Sequence, residues 1–213
     1  MKYQFFDEHK YLLARSSILL LLWAQDENIC EQEKFKTLLK YQNIYANDFL
    51  WNCMAAYYAE KQTGAHYLQR AKELLNNITY PMLEMYINTL KKYEDWEELK
   101  KLFSCELDNQ ARYQIILALC GNDTIENNLY CIKLFKQLDE NSHFYEKWFY
   151  RNFAVLLNKS GDIVQAKKYY KKEYDASPDN KVLFELLQIK YSCNDFKIDK
   201  YVEIASKEND ADL

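Results

Sequence analysis

The stretch YRNFAVLLNKSGDIVQAKKYYKKEYDASP, residues 150–178, reads as two amphipathic helices joined by a turn. Tyr150, Phe153, Ala154 and Leu157 fall on one helical face, and Ala166, Tyr169 and Tyr170 do the same in the second half. Gly161-Asp162 separates the halves, and Pro178 closes the unit. Such a hairpin has an apolar face it cannot bury alone, so a neighbour of the same kind must cover it.

Eight residues lie between Leu157 and Ala166, and three between Ala166 and Tyr170, with the proline beyond. In this spacing the unit resembles one tetratricopeptide repeat, a helical hairpin of about 34 residues with a W-x2-L-G-x2-Y, A-x3-F, P pattern. Glu173 departs from the resemblance, because the family usually has a small residue there. The same grammar recurs at Ala55, Tyr58, Ala59, Gln62, Ala71 and Leu75, then at Leu83, Tyr86, Ile87, Leu90, Leu99 and Phe103. A further copy runs through Ile115, Ala118, Leu119, Cys131 and Phe135. Another begins at Phe184, Leu187 and Tyr191, with Lys200 where the family has alanine. Unit starts at 55, 83, 115, 150 and 184 are 28, 32, 35 and 34 residues apart.

The resemblance implies an all-α fold, a right-handed α-solenoid of five or six stacked hairpins. One domain over 1–213 is expected, with a capping hairpin or degenerate repeat at 1–46, repeats at 47–205 and a frayed polar tail at 206–213. Within the first part, residues 3–25 read as a long helix, followed by a second from Cys30 to Tyr41 with Phe35, Leu38 and Leu39 inward. Asp48 is the expected N-cap of the helix that carries Trp51, Ala55, Tyr58 and Ala59.

Composition agrees with a helical reading. Three glycines and two prolines in 213 residues are far below usual frequencies, so the turns that an all-β chain needs are missing. All three glycines and both prolines are expected between helices. Six cysteines form no CxxC pair, and His9, His66 and His143 have no second ligand at metal spacing, so neither zinc nor a disulfide framework is predicted. No Gly-rich phosphate loop, HExxH or GxSxG motif occurs. The prediction is a non-enzyme without catalytic residues, metal or cofactor.

A net charge of −4 lacks the basic stripe that nucleic acid demands. The apolar run 18–24 falls well short of the ~20 residues of a membrane-spanning helix. The start MKYQFFDEHK lacks the layout of a secretory leader, which predicts a cytoplasmic protein with no membrane insertion. Glu94, Asp95, Glu97 and Glu98 suit a helix start, with Glu97 pairing Lys101, rather than an acid–base pair. Lys167, Lys168, Lys171 and Lys172 form a solvated outer face or, alternatively, a site for an anionic partner.

Nineteen tyrosines suit both a packed core and binding anchors. The resemblance implies that the first helix of each unit lines a concave groove for a peptide or protein segment. The residues it selects are Tyr57, Glu60, Asn88, Lys91, Tyr113, Trp148, Arg151, Asn152 and Asn158, together with Glu84 and Val155. Asparagine carries both donors and acceptors and can hold an extended backbone. The lysine, asparagine and arginine clamp by which some family members hold carboxylate-terminated tails is absent, since Glu84, Val182 and Leu186 stand where it needs cations. A peptide-binding scaffold is the expectation; the alternative is an accessory or regulatory repeat domain of a larger enzyme or a peptide-sensing regulator.

Overall fold

The computed structural model describes residues 28–75, 80–139 and 147–190. The expected 3–25 helix, Cys193, His9, His143, Tyr191, Lys200 and the 206–213 tail lie outside the described residues. The eleven helices among them are α1 (Glu31–Lys40), α2 (Gln42–Tyr45), α3 (Phe49–Tyr58), α4 (Lys61–Glu73), α5 (Tyr80–Lys92), α6 (Trp96–Phe103), α7 (Asn109–Leu119), α8 (Ile125–Asp139), α9 (Phe149–Lys159), α10 (Ile163–Ala176) and α11 (Asn180–Lys190). No strand occurs among the described residues. The chain divides into two compact units, Met1–Leu107 and Asp108–Leu213.

In the first unit α3 packs against α1, α4 and α5, and α5 continues onto α6. Most of the recurring apolar positions bury, while Tyr58 and Leu75 are half-buried. Ala55, Ala71, Tyr86, Leu90 and Leu99 are fully enclosed, with Leu83, Ile87 and Phe103 close behind. Leu39, expected inward, is instead exposed at the end of α1, where the helix has run past the core that Leu38 enters. Glu97 and Glu98 pair with Lys100 and Lys101, three residues on, rather than across the expected four.

In the second unit α7, α8, α9, α10 and α11 each pack on the next. Its core is a chain of rings. Phe135 stacks on Phe153 at 5.0 Å, Tyr113 meets Phe149 edge-on at 5.4 Å, and Phe153 leans on Tyr169 at 4.4 Å. Such pairs add about 0.5–1.5 kcal/mol beyond the area they bury. Ala154 and Ala166 are fully buried, where α9 and α10 lie against each other.

Helix starts leave backbone N–H groups without a helical acceptor, and aspartates supply the missing partner. Asp48 accepts from the Trp51 amide at 2.7 Å, as expected, and Asp108 from Ala111 at 2.7 Å. Asp95 and Asp162 cap α6 and α10 in the same way. The turns before them are alike bond for bond. Glu94 and Gly161 both take a left-handed backbone, φ 58° and 83°. The next amide, of Asp95 or Asp162, reaches back to the carbonyl of Leu90 or Leu157. Only the glycine is free of the steric cost of that conformation.

Gly64 has a different reason to be glycine. It lies inside α4, not between helices, and a Cβ there would stand 1.9 Å from Tyr93 Oη and 2.9 Å from the Ala56 carbonyl oxygen. Tyr93 Oη occupies that space because it donates to the same carbonyl at 2.9 Å. Pro81 likewise falls in the first turn of α5, where its missing N–H costs nothing.

Glu173, the departure from the repeat pattern, is buried in α10 and performs the capping that α9 lacks. Trp148, before α9, has φ 72° and makes no side-chain cap. The Glu173 carboxylate instead accepts from the amides of Trp148 at 2.8 Å, Tyr150 at 3.0 Å and Arg151 at 3.4 Å. Charge-assisted bonds of this kind are the strong ones, and they lock α9 to α10.

Two sets of variants follow, to be measured by chemical denaturation. Glu173→Ala, which leaves three amides of the α9 start without this acceptor, should cost about 2–4 kcal/mol, while exposed Lys171→Ala stays within about 0.5. Equal losses would show that the carboxylate does not hold the helix. In the first unit, Gly64→Ala should destabilise by about 1 kcal/mol or more despite alanine's better helix propensity. Glu94→Gly should stabilise by about 0.5 kcal/mol, and opposite signs would refute the reading of both positions.

Candidate functional site

The residues expected on the concave face separate by unit. In the first, Glu84, Asn88 and Lys91 follow at helical spacing along α5 and are all exposed. Glu60 is exposed immediately before α4. Tyr57 is half-buried, and its carbonyl accepts from the Lys92 ammonium, which also stands 5.5 Å from its ring. The second ammonium bond of Lys92, to the Ala59 carbonyl at 2.8 Å, closes the α3–α4 turn.

In the second unit the expected residues lie near each other but are engaged internally. Tyr113, selected as an outward anchor, is buried with 2% exposure, because its ring fills the space between Phe135 and Phe149. Asn152 donates from Nδ2 to Tyr113 Oη at 2.8 Å, so this amide serves the core. Arg151 grips Glu185 of α11 with two nitrogens, Nε at 2.8 Å and Nη2 on the other oxygen. Its guanidinium also lies 5.4 Å over the half-buried Trp148 ring, with Lys147 at 5.1 Å. Asn158 is exposed near the end of α9, and Val155 is half-buried.

The outer lysines are engaged too. Lys172 sits 4.8 Å from the rings of both Tyr150 and Tyr169 and bonds Asp139 at 3.4 Å. Tyr169 donates to Asp139 at 2.8 Å; burial and then this bond push its hydroxyl pKa above the ordinary value. Lys171 pairs with Asp175.

A feature not read from the sequence lies in the first unit. A cleft of about 430 Å³ opens between α2, α3 and α4. Trp51 and Tyr67 form its aromatic wall, edge to face at 5.4 Å, and His66 lies against Tyr67 with ring centroids 3.6 Å apart. Arg70 donates to Asn47 Oδ1 at 2.6 Å and to Glu73 at 2.8 Å, while Gln42 and Gln69 add side-chain amides. Asn52, buried in α3, holds the carbonyls of Ala46 and Asp48 at 3.0 and 2.7 Å and so fixes the cleft's α2 side. The sequence signal was the Trp51 position, which reads equally well as core.

Among the described residues, Cys30, Cys53, Cys105, Cys120 and Cys131 are free thiols, and no three His, Cys, Asp or Glu side chains converge as a metal ion would require. A hydrogen bond with Cys131, then burial, raises the Cys120 pKa. No helix among the described residues is long and apolar enough to cross a membrane. No known protein family matches the sequence, and no curated protein or solved structure is detectably similar to it.

The bond from Asn152 to Tyr113 changes what substitution there should do. Asn152→Ala should cost about 1 kcal/mol of stability, whereas Asn158→Ala on the exposed stretch should cost less than about 0.5, both by thermal denaturation. Equal melting temperatures for the two variants would mean that the amide contributes nothing to the core.

Proposed function

We propose that the chain is a non-enzymatic scaffold of tetratricopeptide-like hairpins, stacked as an α-solenoid, that holds a peptide or protein segment on the face of its first helices. One observation carries the reading. The turn at Glu94-Asp95 is repeated bond for bond at Gly161-Asp162, 67 residues further on, close to twice the period of about 34 residues of such repeats. A turn that recurs at that interval, with Tyr86 and Phe103 buried around the first copy and Phe153 and Tyr170 buried at the same offsets around the second, is what a repeated unit built to stack would leave behind.

Surfaces made this way act by presenting side chains along regularly spaced helices rather than by chemistry at one point. Here the exposed stripe of Glu84, Asn88 and Lys91 offers an acceptor, an amide and a cation in line on α5. In the second unit the half-buried Trp148, flanked by Arg151 and Lys147, is the aromatic group proposed to serve as an anchor. Arg151 lies over that ring, while Asn152 and Tyr113 bond each other in the core.

Affinity capture with the purified chain, followed by measurement of the captured partner against variants, tests the proposal. Asn88→Ala, Lys91→Ala and Trp148→Ala should leave melting nearly unchanged while at least one weakens binding by about tenfold or more, since binding energy concentrates in a few positions. Normal binding by all three, with loss on Lys167→Ala or Lys168→Ala, would move the site to the outer face and overturn the reading.

A further inference from the structure

We infer that the cleft between α2, α3 and α4 seats a short, uncharged stretch of extended polypeptide, with an apolar side chain against Trp51 and Tyr67 and its backbone held by side-chain amides at the rim. The inference rests on the peptide-binding reading and adds where one such segment binds and of what chemistry it is. The first ground is an unmet donor. Trp51 is 1% exposed, yet its indole N–H has no acceptor among the described residues, although the ring lines the cleft. A buried donor left unmade costs about 1–3 kcal/mol, and a backbone carbonyl is a neutral acceptor that would recover it.

Charge gives the second ground. Among the described residues the one guanidinium in the lining, Arg70, is already held by Glu73 and Asn47, so carboxylate and cation balance each other. A phosphate or carboxylate ligand would meet the Glu73 carboxylate beside that guanidinium, which opposes it. Gln42, Asn47 and Gln69 instead present groups that can both donate and accept, which matches the alternating N–H and C=O of an extended chain. Size is the third ground. About 430 Å³ suits a few residues of chain and falls within the range of small-ligand sites, whereas a folded surface could not enter. Tyr41 and Ile44, on either side of Gln42 in the sequence, are exposed large apolar side chains, so the approach on the α2 side is not polar.

The probe is a pooled library of N-acetylated, C-amidated hexapeptides without charged residues, alongside a matched library bearing phosphoserine or a free carboxyl terminus. Binding to the full chain is read by saturation-transfer NMR, and hits are titrated by fluorescence anisotropy. Neutral peptides with a central aromatic or branched residue should bind. Ala46→Trp, which fills the cleft from an exposed position, should weaken them by about tenfold or more, and Trp51→Phe, which keeps a ring but removes the N–H, by about fivefold. If Trp51→Phe fails to fold, Ala46→Trp decides alone. Hits that bind Ala46→Trp as tightly as the parent overturn the cleft while leaving the peptide-binding reading intact. Preference for the charged library, with the same sensitivity to Ala46→Trp, overturns the assigned chemistry. Absence of binding from both libraries overturns the inference and the reading beneath it.

Discussion

Every α-helix begins with amides that no helical carbonyl can reach, and a chain with three glycines and two prolines joins many helices by few specialised turn residues. Carboxylates meet the need. Asp48, Asp95, Asp108 and Asp162 act from the capping position, each bonding the amide three residues on. Where α9 begins on a tryptophan in a left-handed conformation, the acceptor comes from another helix, and Glu173 binds three amides at once. That arrangement makes a helix start depend on tertiary packing. The start of α9 is therefore secured only when α10 lies against it, which couples turn, cap and hairpin into one structure.

The hairpins have a second dependence, on the alternation of very small and very large side chains. Ala154 and Ala166 let α9 and α10 approach, and the rings of Phe135, Phe149, Phe153 and Tyr169 fill what lies beyond the contact. Gly64 does the same for α4, where the space left by its missing side chain is taken by the Tyr93 hydroxyl. Such cores tolerate little change in volume, because the residue that yields space and the one that fills it lie on different helices.

Helical period, many core positions and the Asp48 cap were legible in the sequence because they depend on residues within one or two turns of each other. Asp48 as a cap, Gly161 as the break between two helices and the buried Phe153, Ala154, Leu157, Ala166 and Tyr170 all belong to that class. What was not legible depends on contacts across elements. The Glu94 turn carries no glycine to announce it, and Gly64 looks like a breaker until Tyr93 is seen in its space. Tyr113 and Asn152 sit at spacings that suit an outward face, but a donor on α9 and a ring on α7 meet and turn both inward. The cleft is of the same kind, since its wall joins positions from Gln42 to Glu73 that no periodicity connects.

Those internal engagements bear on where a partner can be held. A side chain that already satisfies the core must give up that bond before it can take another, and the exchange gains little unless the partner is a better acceptor or donor. In the second unit the amide of Asn152 and the guanidinium of Arg151 are both committed in this way. In the first unit Asn88 and Lys91 are exposed, and the cleft wall contains an indole donor with no acceptor among the described residues. An exposed amide exchanges one solvated bond for another at small gain, so its contribution is orientation. A donor enclosed away from bulk solvent has no such bond to exchange, so a bond made there gains more. On the proposed peptide-binding reading, a bond made in the cleft would add more to affinity than an exposed amide on α5, whose part would be to orient the segment.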